Sequence, residues 1–89
     1  MDEHIEFPIT DELDLHTFSP KEVSELLPEY FIECRKKSIF SVRVIHGKGK
    51  GILKKRVHSL LKKNELVLDY HEATPSHGGW GATIVELKK

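Results

Sequence analysis

Two clusters in this chain hold residue types suited to chemistry. In Leu13-Asp14-Leu15-His16 the aspartate and the histidine are two apart. In an extended strand they share one face while the leucines take the other. A carboxylate beside an imidazole is an acid/base pair or a pair of metal ligands, and histidines such as His16 or His46 move protons near neutral pH. In the second cluster the apolar run Val42-Arg43-Val44-Ile45 stops at His46. Glycine then takes every second place, Gly47, Gly49 and Gly51, with Lys48 and Lys50 between. An amphipathic helical pattern follows at once. A strand feeding such a turn into a helix N-terminus exposes backbone N–H groups at the positive end of the helix dipole. Glycines let a polyanion approach the backbone, with Gly49 expected at positive φ, and the lysines add charge. The pattern predicts a phosphate-binding turn with His46 at its mouth.

Further residues extend this reading. Lys54, Lys55 and Arg56 fall in the first turns of the following helix, where the dipole disfavours cations unless an anion sits above them. A solvated helix face is the simpler account of the same charges. Near the C-terminus, Gly78-Gly79-Trp80-Gly81 forms a third cluster, in which Trp80 either stacks on a base or plugs one end of the core. The glycine turn lacks the length and the Gly-Lys-Ser/Thr ending of a P-loop. There is also no Gly-x-Gly-x-x-Gly with a downstream acid, so no nucleotide cofactor is expected. Six histidines invite a metal reading. His58 is expected to be solvated on the second helix, while His71 and His77 flank the last loop. Cys34 is the single cysteine, which removes any intrachain disulfide or thiolate zinc site. Asp14 alone is slender support for Mg²⁺ or Mn²⁺, hard cations that gather several oxygens.

The elements that must position these residues are legible in the pattern. The chain has 89 residues, a formal net charge of zero, 31% charged and 38% hydrophobic residues. That describes one ordinary globular domain and argues against coating nucleic acid by bulk charge, but it leaves room for a local basic face. No apolar run approaches the roughly 20 residues of a membrane span. With an acidic start and one cysteine, a cytoplasmic protein is expected, as a monomer or weak oligomer. Residues 1–12 read as an extended arm with Ile5, Phe7 and Ile9 alternating, and residues 13–89 as the domain. Strands are predicted over Leu13–His16, Phe40–His46, Leu66–Tyr70 and Ala82–Leu87. Ser19-Pro20-Lys21-Glu22 is a capping box that opens a helix running through Pro28 to about Lys37. A second helix over Gly51–Lys63 is expected to bury Leu53, Val57, Leu60 and Leu61. The order β-α-β-α-β-β, with right-handed crossovers, makes three strands parallel, both helices on one face and the fourth strand antiparallel. All three clusters then meet at one rim, the carboxyl ends of the first two strands, where open α/β sheets bind ligands.

Leu13-Asp14-Leu15-His16-Thr17, His46-Gly47-Lys48-Gly49 and Gly78-Gly79-Trp80-Gly81-Ala82-Thr83-Ile84-Val85-Glu86-Leu87, in this order, resemble the motifs of the small MutS-related (Smr) domain. Thr17 stands where that family usually has glycine. The resemblance implies a two-layer α/β sandwich similar to the C-terminal domain of translation initiation factor three, with the fourth strand inserted between the second and third. It also implies nucleic-acid binding, with DNA-nicking or RNA-cleaving endonuclease activity in a number of members. The initial Met and the lack of an ATPase suggest a stand-alone form. The expectation is a nucleic-acid-binding domain with endonuclease activity. Asp14, His16 and His46 would be catalytic. Gly47, Lys48, Gly49, Lys50, Gly51, Lys54, Lys55 and Arg56 would hold phosphates, joined by Gly79, Trp80 and Gly81. The alternatives are a non-cutting module for branched or single-stranded nucleic acid, and an interaction domain in a repair or translation assembly.

Overall fold

Ser19 begins the first helix, α1 (Pro20–Lys36), with a reciprocal cap: its Oγ accepts from the Glu22 N–H at 3.2 Å, and the Glu22 carboxylate accepts from the Ser19 N–H at 2.9 Å. Pro20 at the first helical position forfeits no bond, since that N–H has no intrahelical partner anyway. Pro28 lies inside the helix, which continues through it as one element. Val23, Leu27, Tyr30, Phe31 and Cys34 form its buried stripe, at the spacing a 3.6-residue turn requires.

The computed structural model describes residues 9–89 except Lys50, Gly78 and the side chains of His77 and Trp80. Lys50, the Trp80 ring and residues 1–8 of the expected arm lie outside the described residues. Along the chain the elements are β1 (Glu12–Asp14), α1, β2 (Ser41–Ile45), α2 (Ile52–Lys63), β3 (Val67–Glu72), two 3-10 turns (Pro75–His77 and Gly79–Gly81) and β4 (Ala82–Leu87). The sheet order is β1-β2-β4-β3, with β1 parallel to β2 and β4 antiparallel to both of its neighbours. This is the four-stranded mixed sheet expected from the sequence. β4 takes a central place because Ala82, Thr83, Val85 and Leu87 are all buried. β3, at the edge, has no buried position.

The core lies between the sheet and the helices. Leu13 and Leu15, Val42 and Val44, and Val85 and Leu87 pack with the buried residues of α1 and α2. In α2 only Val57 and Leu61 are buried, while Leu53 and Leu60 are half-buried against the same core. The third strand starts and ends later than predicted, and its register breaks between Val67 and Asp69. The extra residue of this bulge lets Val67 and Tyr70, three apart, both pack on the core, and it leaves Leu68 exposed. The polar face carries an Arg43–Glu12 ion pair at 2.8 Å and a Ser41–Glu86 hydrogen bond at 3.2 Å. β1 and β2 both end at the rim, where the Leu15 N–H donates to the Ile45 carbonyl at 2.7 Å.

Candidate functional site

The three motifs are joined through backbone. After β2 the chain passes His46 and Gly47, whose N–H groups both donate to the carbonyl of Gly81, at 3.0 and 2.9 Å. Gly81 needs its missing side chain, since a Cβ there would stand 2.9 Å from Cγ of Lys48. The Lys48 stem therefore lies across the start of β4. Gly47 (φ 84°) and Gly51 (φ 81°) take left-handed conformations that other residues rarely adopt. Gly49 does not, and a Cβ there would meet nothing within 4 Å, so the positive φ expected at Gly49 belongs to its two neighbours. Gly79 is also left-handed, at φ 56°.

Asp14 and His16 share an exposed face, as alternation requires. Asp14 Oδ1 accepts from the His16 backbone N–H at 3.0 Å and lies 2.5 Å from His16 Nδ1. The imidazole bond holds the Asp14 carboxyl below its ordinary value, against a smaller opposing push from burial. With Nδ1 donating to the carboxylate, a neutral His16 ring keeps Nε2 as its acceptor. Both side chains keep more than half their surface, 51% for Asp14 and 58% for His16.

His46 does not stand at the mouth of the turn: it is 4% exposed, behind the rim. His46 continues the inward alternation of Val42 and Val44, which carries the imidazole toward the helix layer. There Nε2 lies 2.9 Å from Thr83 Oγ1, and Nδ1 lies 3.2 Å from the Gly47 carbonyl. His58, expected in solvent, is half-buried instead, with Nε2 also 2.9 Å from Thr83 Oγ1. Its ring packs edge-on against Tyr70, with centroids 5.2 Å apart. Burial pushes both histidines below their ordinary pKa. The Gly47 carbonyl partly offsets this for His46, and Lys54 adds to it for His58. Thr83 stands in the third family motif but drew no site role from the sequence, although it is the one polar residue on the inward face of β4.

A hollow of about 390 Å³ opens where these parts meet, lined by His16, His46, Gly47, Lys48, Gly51 and Lys54 among others. Its floor is the start of α2, which has no side-chain cap and no acidic residue in its first turn. Such a terminus presents N–H groups and a partial positive charge to a bound anion. The three expected cations of α2 divide. Lys54 Nζ is paired with the Glu72 carboxylate at 2.6 Å, Arg56 Nη1 donates to Ser24 Oγ on α1 at 3.0 Å, and Lys55 is exposed. A larger cleft of about 900 Å³ lies at the far end, against Ile32, Phe40 and Leu60, away from these groups.

The rim offers few protein ligands to Mg²⁺ or Mn²⁺ among the described residues. Among the described residues no three histidine, cysteine or acidic side chains gather at one point. Asp14 gives one oxygen to His16, and a Mg²⁺ held there would take its remaining ligands from water and phosphate.

Residues 13–88 match the Smr domain. The chain belongs to the Smr domain family. Endonuclease MutS2 of Staphylococcus carnosus is 39% identical to it over 77 residues, which are 86% of this chain and 10% of that protein. Endonuclease MutS2 of Clostridium acetobutylicum is 36% identical over 80 residues, 90% of this chain and again 10% of the relative. The Smr domain here thus spans about a tenth of the length of these relatives. The crystal structure of the Smr domain of Thermus thermophilus MutS2 superposes with a TM-score of 0.85 at 29% identity, covering 90% of this chain and 100% of that one. YdaL, a stand-alone small MutS-related protein from Escherichia coli, gives 0.83 at 28% identity over 89% of this chain and 65% of its own. No helix among the described residues is long and apolar enough to cross a membrane.

Proposed function

We propose that this Smr domain binds a nucleic-acid phosphate in the hollow at the start of α2 and cleaves the phosphodiester with Asp14 and His16. The observation that carries the reading is the half-exposed Asp14–His16 pair at 2.5 Å, beside an uncapped helix N-terminus. The relatives named as endonucleases support the same class of reaction. In this scheme the N–H groups at the start of α2, with Lys48, hold the phosphate and its developing charge. Asp14 fixes His16 with Nδ1 inward. Nε2 then takes a proton from an attacking water as the new P–O bond forms. The P–O bond to the leaving oxygen breaks, and that oxygen takes its proton from solvent at the open rim. Lys55 holds a flanking phosphate.

The test is incubation of the purified chain with supercoiled plasmid, branched DNA and structured RNA, with and without divalent metal, beside Asp14→Asn and His16→Ala. Cleavage that is lost in both variants supports the scheme. Binding without cleavage in any condition leaves a recognition module, and no binding at low salt removes nucleic acid as the partner.

A further inference from the structure

His46, Thr83 and His58 stand apart from the exposed pair, yet each of their bonds has one allowed direction. A carbonyl oxygen only accepts, so the 3.2 Å bond to the Gly47 carbonyl places a proton on His46 Nδ1. A neutral imidazole carries one N–H, so His46 Nε2 is bare and accepts the hydroxyl proton of Thr83 at 2.9 Å. With that proton in use, Thr83 Oγ1 accepts from His58, whose Nε2, also at 2.9 Å, carries the hydrogen. One directed chain therefore runs from His58 on α2, through Thr83 on β4 and His46, to the Gly47 carbonyl. Thr83 is fully buried and His46 nearly so, which limits competition from water for the bond between them.

We propose that Thr83 and His58 are positioning residues: they hold His46 in a single tautomer, so that its Nδ1–H pins the left-handed Gly47 turn at the edge of the anion hollow. The proposal deepens the phosphate-cradle reading and rests on it for its effect on binding. It gives His46 the work of organising the turn and leaves proton transfer to His16. It also makes the device sensitive to acid. A second proton on His46 would sit on Nε2, aimed at an oxygen that already receives one N–H, and would strand the Thr83 hydroxyl proton. The charges that act on the two rings are Lys54 and Lys62 from α2 and Glu72 from β3, and Tyr70 of β3 packs against His58. The lysines oppose protonation and Glu72 favours it.

The experiment is long-range proton–nitrogen correlation NMR of the histidine rings in ¹⁵N-labelled protein at pH 7.5, with a single-stranded oligonucleotide as binding probe. His46 is expected protonated on Nδ1 and His58 on Nε2; a His46 Nε2–H tautomer overturns the proposal. Thr83→Val, of nearly equal shape, should shift the Gly47 and Lys48 amide resonances and weaken oligonucleotide binding about tenfold. Thr83→Ser should restore both. Unchanged Gly47 resonances in Thr83→Val also overturn it. His58→Phe keeps a ring against Tyr70 but frees an acceptor site on Thr83, so the His46 titration midpoint should rise; an unmoved midpoint removes His58 from the chain. Should Thr83→Val fail to fold, the wild-type tautomers and His58→Phe still decide. A wild-type protein that shows the predicted tautomers and binds no oligonucleotide disproves the cradle and leaves the His58–Thr83–His46 chain standing.

Discussion

Gly47 lies directly against His16: a side chain begun on Gly47 would place its Cβ 3.4 Å from that of His16. Parallel pairing of β1 with β2 produces this contact, because both strands end at the same rim and Asp14 is in register with Ile45. The glycine turn and the Asp14–His16 pair are thus one packed unit, and a change in the turn is felt at the imidazole.

Gly47→Ala should therefore cost about 1–2 kcal/mol through its left-handed backbone and weaken both binding and cleavage. Gly49→Ala, with open space and an ordinary φ, should be close to neutral in stability. Urea unfolding and oligonucleotide affinity of the two variants make the comparison. Equal losses at both positions would mean that the loop tolerates or rejects side chains for a reason other than backbone conformation.

Asp14→Asn keeps the shape of an exposed side chain and removes the charge that orients His16. Folding stability should stay within about 0.5 kcal/mol of wild type, as for most surface substitutions. The cleavage rate should fall by a factor of roughly 10² to 10⁴, the usual contribution of general acid–base catalysis. Single-turnover cleavage with saturating enzyme separates this from any loss of binding; wild-type rates in the variant would remove Asp14 from the reaction.

Acid should weaken the fold through the buried histidines. Burial lowers the pKa of both His46 and His58 below the unfolded value of about 6.5. Between the lowered folded values and 6.5 the unfolded chain binds more protons, so stability is complete above about pH 6.5 and declines as pH falls toward the folded values. Urea unfolding from pH 8 to pH 5 should show the decline, and a His46→Asn/His58→Phe variant should flatten it. Stability that rises with acid over this range would contradict the buried neutral rings.

Salt dependence separates the cations of α2. Each phosphate contact adds a slope of about −0.7 to −0.9 in log K against log salt. Lys55→Ala should remove one such increment. Because Lys54 is held by Glu72 at 2.6 Å, Glu72→Gln should release it, raising affinity and steepening the slope. Lys62→Ala/Lys63→Ala, at the far end of α2, should change little. An anisotropy titration series over ionic strength reads all three, and a larger effect from Lys62 and Lys63 would put the binding face at the wrong end of the domain.

The element order, the cap at Ser19, the strand directions and the shared face of Asp14 and His16 were legible in the chain because each rests on short-range spacing. Alternation, helical periodicity and capping bonds all lie within a few residues, and crossover handedness converts them into a sheet. The family motifs pointed to the same rim. What tertiary structure alone decided are relations between residues far apart in sequence: Thr83 meets His46 across 37 positions and His58 across 25, and Lys54 meets Glu72 across 18. No local period encodes those pairs. They follow from β4 entering beside β2 and from α2 lying over it, which gives the inward-facing His46 its partner, takes His58 out of solvent and occupies Lys54. Likewise, a glycine at every second place reads the same at Gly47 and Gly49. Only the path of the turn, stitched to the Gly81 carbonyl, makes the left-handed backbone necessary at one and not at the other.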